Sequence, residues 1–211
     1  MSISLEEGAQ ALVTTPGATR FYRSDGRIAH VDQIFHVAPD ARLEFVPLEN
    51  IAFPNANLRT RNDIHLSKSA KFVGFDIWTL GQPASNAHFE QGQIDGLTKV
   101  FVEERLLLCE RLRVSAETWT KDAASLRGKP VAGTLIAYGS PDDFHAVCEW
   151  WRNQTHPADI LVGLTVMDGL LVLRGLADNT EQLFMLMATC WQQIRLHWTG
   201  ELPDLPRIWR T

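Results

Sequence analysis

From the start of the chain to about residue 138, apolar residues recur at every second position. A period of two belongs to strands, whose successive side chains point to opposite faces. In residues 28–37, Ala29, Val31, Phe35 and Val37 form one face, broken only by Gln33, while His30, Asp32 and His36 form the other. In residues 58–66, Leu58, Thr60, Ile64 and Leu66 alternate with Arg59, Arg61, Asp63 and His65. The turn-forming stretches PDA, PNAN, GQPASN and RGKP punctuate these runs at intervals of about ten to twenty residues. Many short strands without a helical period predict a mainly β body, whether sandwich, barrel or solenoid. Periodicity does not choose among the three.

The texture changes after residue 139. Ser140-Pro141-Asp142-Asp143 predicts a helix start, with Ser as N-cap, Pro at the first helical position and acids in the first turn. That helix is expected to reach about Asn153. ILVGLTVMDGLLVLRGL reads as a hairpin with Asp168-Gly169 at its tip. Asn179 is expected to cap a second, longer helix, with Leu183, Met187, Cys190, Ile194 and Trp198 at helical spacing and Gly200 as its stop. Met185, Met187, Cys190 and Trp191 read as core filling. The tail LPDLPRIWRT reads as extended, its Trp209 either packed down or offered to a partner. The expected organisation is thus a β-rich body over residues 1–138 and a helix–hairpin–helix region with a tail over 139–211, both in one domain.

Charge and composition exclude several classes. With 20 Lys and Arg against 25 Asp and Glu, the net charge is −5, which argues against nucleic acid as the main partner. A 45% hydrophobic, 21% charged chain is globular rather than disordered. No apolar run approaches the ~20 residues of a membrane span, and the opening MSISLEEGAQ lacks the basic and apolar regions of a signal peptide. Cys109, Cys148 and Cys190 have no framework spacing and read as reduced thiols.

Catalytic motifs are absent. TTPGATR lacks the spacing of a phosphate loop, and there is no G-x-S-x-G, H-E-x-x-H or C-x-x-C. Ser24 and Ser85 have no identifiable base, so a hydrolase is disfavoured. His30 and Asp32 share a strand face and could chelate a metal, although a solvated outer face explains them more simply.

Two carboxylates stand out. In RLLLCERLRV, Glu110 interrupts the apolar row Leu106, Leu108, Leu112, Val114. In KFVGFDIWTL, Asp76 shares a face with Phe72, Trp78 and Leu80. An ionised carboxylate on a buried row costs several kcal/mol unless it is paired, hydrated or bound to a cation. The alternatives are a buried ion pair, for example with Arg111 or Arg113, and a wet internal cavity where these acids meet a passing cation.

The ordered segments GAQALVTTPGATRFYRSDG, LEFVPLENIAFPNANLRT, FVGFDIWTLGQPASNAHFEQG, LLLCERLRV, GKPVAGTL, DNTEQLFMLMATCWQQIR and LPRIWRT resemble the UreD (UreH) family of urease accessory proteins. They span nearly the whole chain, and it is their collinear order that is specific. The resemblance implies a β-helical, solenoid-like body with two helices and a hairpin in the C-terminal third. It implies a cytoplasmic, non-enzymatic protein without a permanently bound cofactor. Such a protein acts with UreF and the GTPase UreG on apo-urease to insert Ni2+, which passes through a polar internal channel. Asp76 and Glu110 match the family's acidic channel positions and Thr19 its polar one. A rival expectation is a purely structural adaptor. Members of the family carry about sixty further residues ahead of this segment, so either a misassigned start or a shortened copy is expected. A body without those first strands would expose unpaired edges and is expected to be insoluble alone.

Overall fold

A computed structural model describes residues 1–82, 85, 87–115, 117, 119–120 and 125–210. Each circuit of the chain adds strands to two facing sheets. In the first sheet β1 (Ser2–Leu5), β4 (Ala29–Val37), β7 (Asn57–Leu66) and β9 (Gln93–Val102) stack in parallel, and β10 (Arg105–Ser115) returns antiparallel to β9. The second sheet takes β2 (Gln10–Val13) and β3 (Thr19–Phe21) from the first circuit, β5 (Arg42–Phe45) and β6 (Asn50–Ala52) from the second, and β8 (Lys71–Leu80) from the third. These too are parallel. Each sheet runs between two different edge strands. Of the three architectures that period two allows, the body is therefore a solenoid, as the resemblance implied, and not a barrel.

The second sheet continues antiparallel from β8 through β11 (Val131–Tyr138) to β13 (Leu170–Ala177) and β12 (Leu161–Met167). β12 and β13 form the expected hairpin. Asp168 and Gly169 sit at its tip with φ of 51° and 76°, the left-handed pair that a two-residue turn requires. The residues that signalled helices also work as read. Ser140 forms a capping box with Asp143 at the start of α1 (Pro141–Arg152), and Asn153 caps its end. Asn179 accepts from the Gln182 amide to open α2 (Thr180–Thr199), and Gly200, at φ 77°, closes it.

α2 lies on the outer face of the second sheet. Its Leu183, Met187, Cys190, Trp191 and Ile194 are fully buried against a surface that includes Val73, Phe75, Ile77, Val131 and Leu135. Burying each large side chain contributes about 1.5–3 kcal/mol. Close approach depends on two glycines: a Cβ on Gly133 would lie 2.6 Å from Met187 Cε, and one on Gly175 would lie 2.3 Å from Leu183 Cδ1. A buried charge also fixes the helix. Glu44 of β5, 2% exposed, accepts from Trp191 Nε1 at 2.7 Å and lies 3.1 Å from Arg42 Nε and 3.5 Å from Arg195 Nη1.

Three expectations are corrected. Met185 is 41% exposed rather than core, because it lies on the solvent side of α2. Leu106 is 47% exposed because the β10 register shifts between Leu106 and Leu108, turning it away from the apolar row. The tail ends in a 3-10 turn, Arg207–Arg210, rather than running extended throughout. Trp209 is packed down. Its ring meets Phe75, Phe184 and Trp191, and its Nε1 donates to Thr14 Oγ1 at 2.8 Å.

Candidate functional site

Because the first sheet is in register, its inward side chains form rows running along the solenoid axis. Leu58–Ile94–Val114 is one apolar row, and Phe35–Ile64–Val100–Leu108 is another. Between them lie Val31–Thr60–Gly96–Leu112 and then a wholly polar row, Gln33–Asn62–Thr98–Glu110. At one strand spacing per step, that row is about 14 Å long. Asn62 Nδ2 donates to Thr98 Oγ1 at 3.1 Å within it.

The second sheet answers with its own polar row. Asp76 of β8 is opposite Thr134 of β11, which is opposite Arg174 of β13. Thr19 and Asn50 pair on β3 and β6, and the Asn50 side chain reaches Asp76. The solenoid interior is accordingly apolar on either side, in two clusters around Phe35, Phe72 and Ile136 and around Trp78, Leu58 and Ile94, with polar residues between. A cavity of about 650 Å3 occupies this middle, and its walls include Thr19, Gln33, Asn62, Asp76, Thr98 and Glu110. The polar groups along its middle give water molecules in a space of this size hydrogen-bond partners.

The two acids differ in their surroundings. Asp76 Oδ1 accepts from Asn50 Nδ2 at 2.7 Å and Oδ2 from Trp78 Nε1 at 2.9 Å, so both oxygens are met by neutral donors. Burial pushes its pKa above the ordinary value. The two hydrogen bonds pull the other way, and the nearby Glu110 charge pushes it further up. Glu110 is instead clamped. Arg174 donates to it twice, Nε to Oε1 at 2.9 Å and Nη2 to Oε2 at 2.8 Å, and Thr134 Oγ1 donates to Oε1 at 3.3 Å. An arginine thus pairs with Glu110, as the ion-pair alternative allowed, but it is Arg174 and neither of the two neighbours named as examples. Arg111 and Arg113 point outward to Asp95, at 2.8 and 3.8 Å, because odd positions of β10 face solvent.

Thr19 lies at the exposed edge of the same cavity. The TTPGA corner ahead of it separates β2 from β3, as residues 46–49 separate β5 from β6 one layer on. Thr14 Oγ1 donates to the Val46 carbonyl, and Thr15 Oγ1 accepts from the Leu48 amide, so the two breaks are stitched together. The corner is a strand break and opens no helix. Thr19, Asp76 and Glu110, the positions that the resemblance assigned to a channel, thus border one cavity. Gln33 gave a visible signal for the rest of the polar row, as the one interruption of its apolar face. Asn62, between Thr60 and Ile64, interrupts its face in the same way. Thr134 and Arg174 gave no such signal, since only strand pairing brings them to the acids.

The remaining candidates lie elsewhere. His30, Asp32 and His36 are exposed on the outer face of the first sheet. The ring of His36 stacks on His65, and His65 on Phe101, at 4.8 Å each. Cys109 is exposed and pairs in register with Lys99, so it faces away from the cavity that Glu110 enters. Among the described residues, no three His, Cys, Asp or Glu side chains gather so as to hold a metal ion.

Comparison with known proteins agrees along the full length. The model of the family described as UreD urease accessory protein matches residues 1–210. The urease accessory protein UreD of Vibrio parahaemolyticus is 39% identical over 215 residues, which cover 100% of this chain and 76% of that protein. Its counterpart in Escherichia coli is 37% identical over 216 residues, and that in Klebsiella aerogenes 36% over 211, each with the same two coverages. With a family match from end to end and relatives above a third identical, the chain belongs to the UreD family of urease accessory proteins.

Proposed function

We propose that this chain is a non-catalytic accessory protein that lets Ni2+ reach the active site of apo-urease by passing through the cavity between its sheets. In this reading it acts in the cytoplasm with UreF and UreG, and GTP hydrolysis by the latter drives the transfer. Asp76 carries the argument. It is a buried-row carboxylate on a cavity wall, its oxygens hydrogen-bonded to neutral groups, with no cationic side chain paired to it among the described residues. A dication entering the cavity would supply the missing countercharge.

The chemistry of the walls suits transit rather than storage. Nickel binds His and thiolate ligands tightly, so a closed cage of them would retain it. Passage requires attraction strong enough to enter and weak enough to leave. Two carboxylates, with the amides of Gln33, Asn62 and Asn50 and the hydroxyls of Thr19, Thr98 and Thr134, can exchange with part of the ion's hydration shell at a time.

A second reading, the structural adaptor, is favoured by the Arg174 clamp on Glu110, which leaves that acid already neutralised. The two readings separate on variants. Asp76→Arg and Glu110→Arg should each reduce urease activation at least tenfold while the variant still co-purifies with its partners. If both activate urease normally, nickel does not travel this way and the adaptor reading stands.

A further inference from the structure

Arg174 lines the cavity, yet passage of a cation gives it no role. It belongs to β13 of the second sheet, whereas Glu110 belongs to β10, the last strand of the first. Their two hydrogen bonds, at 2.9 and 2.8 Å, therefore bridge the sheets where the polar rows end. The remaining polar members, Gln33, Asn62 and Thr98, lead toward this bridge.

We propose that Arg174 is the gate of the path, holding Glu110 across the end of the cavity until a divalent cation takes its place. This rests on the nickel-passage reading above. Three features of the geometry support it. The Arg174 side chain is 52% exposed against 22% for Glu110, so the guanidinium can swing into water while the carboxylate stays. Thr134 Oγ1 donates to Glu110 Oε1 at 3.3 Å, which keeps the acid oriented after the arginine has left. Charge completes the argument. With Arg174 in place, one of the two acids is neutralised. With it withdrawn, Asp76 and Glu110 offer two negative charges to one dication. A cation thus favours the open arrangement because it interacts differently with the two states.

The role is one of positioning, since Arg174 acts on the ion through Glu110. Equilibrium dialysis against Ni2+ tests it, on the 211-residue chain carrying Leu12→Lys at the exposed β2 edge so that it stays in solution, with that chain as the wild-type reference at position 174. Arg174→Gln removes the competing cation and should bind Ni2+ about tenfold more tightly than the wild-type chain. Arg174→Lys keeps the charge but loses the planar fork, and should fall between them. Arg174→Met retains the aliphatic stem and should match Gln, which covers the case in which Gln disturbs folding. Equal or weaker binding by both Gln and Met variants, at unchanged melting midpoints, would overturn the gate. Glu110→Gln should weaken binding, and a Glu110→Gln chain that binds like wild type would instead overturn the nickel path on which the gate rests. A merely structural Arg174 predicts no gain in affinity from its loss.

Discussion

Asp76 is an acid whose proton is held more tightly in the folded chain than in the unfolded one. Burial disfavours its charge, and the Glu110 carboxylate adds to that, against the hydrogen bonds from Trp78 and Asn50. The sign for stability follows from linkage. A raised folded pKa means that the native state binds more protons above the ordinary value of 3.8, so this group's contribution is present below that pH and is lost as pH rises through the folded value. Relative to wild type, Asp76→Asn should therefore gain unfolding free energy as pH climbs through that window, as read by urea titrations at a series of pH values. A carbon-detected NMR titration should place the Asp76 midpoint above 3.8. A midpoint at or below it would mean that the carboxylate is not desolvated. Asp76 and Glu110 were legible as misplaced acids because each interrupts an apolar alternation. That their surroundings differ was not legible, because Asn50, Trp78, Thr134 and Arg174 reach them from other strands.

At the level of elements, Glu44 carries a weight that its sequence context conceals. Nothing local in LEFVPLEN marks its first Glu as buried, yet Glu44 is 2% exposed and ties β5 to α2 through Trp191 and Arg195. Removing one partner of a buried charge network leaves the others unpaired. Glu44→Ala should accordingly cost about 3 kcal/mol in chemical unfolding. It should also loosen α2, visible as faster amide exchange around Trp191. Glu44→Gln, which keeps an acceptor for the indole, should cost less. The elements themselves were largely readable: Ser140, Asp168-Gly169, Asn179 and Gly200 each act where local chemistry placed them. Their local hydrogen bonds and dihedral angles involve neighbours a few residues away, so tertiary context had little to override. The bulge at Leu107 and the final 3-10 turn were missed for the opposite reason, being set by the strand and the core against which they lie.

For the whole molecule, the in-register parallel stack creates both the site and a hazard. β1 forms one edge of the first sheet, and the short β2 and β3 lie at an edge of the second. Leu12 on β2 is 39% exposed, and Tyr22 just beyond β3 is 66% exposed. Open parallel edges with apolar side chains recruit other strands. The chain expressed alone should self-associate, and Leu12→Lys should raise its soluble share and shift its elution on size-exclusion chromatography toward the monomer. An isolated wild-type chain that elutes as a stable monomer would show that these edges are already protected. Among the described residues, no helix is long and apolar enough to cross a membrane.

By itself the sequence determined the local grammar: period-two strands, two capped helices, a hairpin tip and two acids on apolar rows. Each of these depends on contacts within a turn or a strand, or on a pattern of alternation, and such signals survive in one dimension. Periodicity alone left sandwich, barrel and solenoid open; the family resemblance implied the solenoid, and the pairing of distant strands bears it out. Only that tertiary pairing aligned Gln33, Asn62, Thr98 and Glu110, and it set Arg174 rather than a neighbouring arginine against Glu110. The physical reason is register. Which residues share a row, and which charges meet across the cavity, depends on how strands far apart in sequence pair.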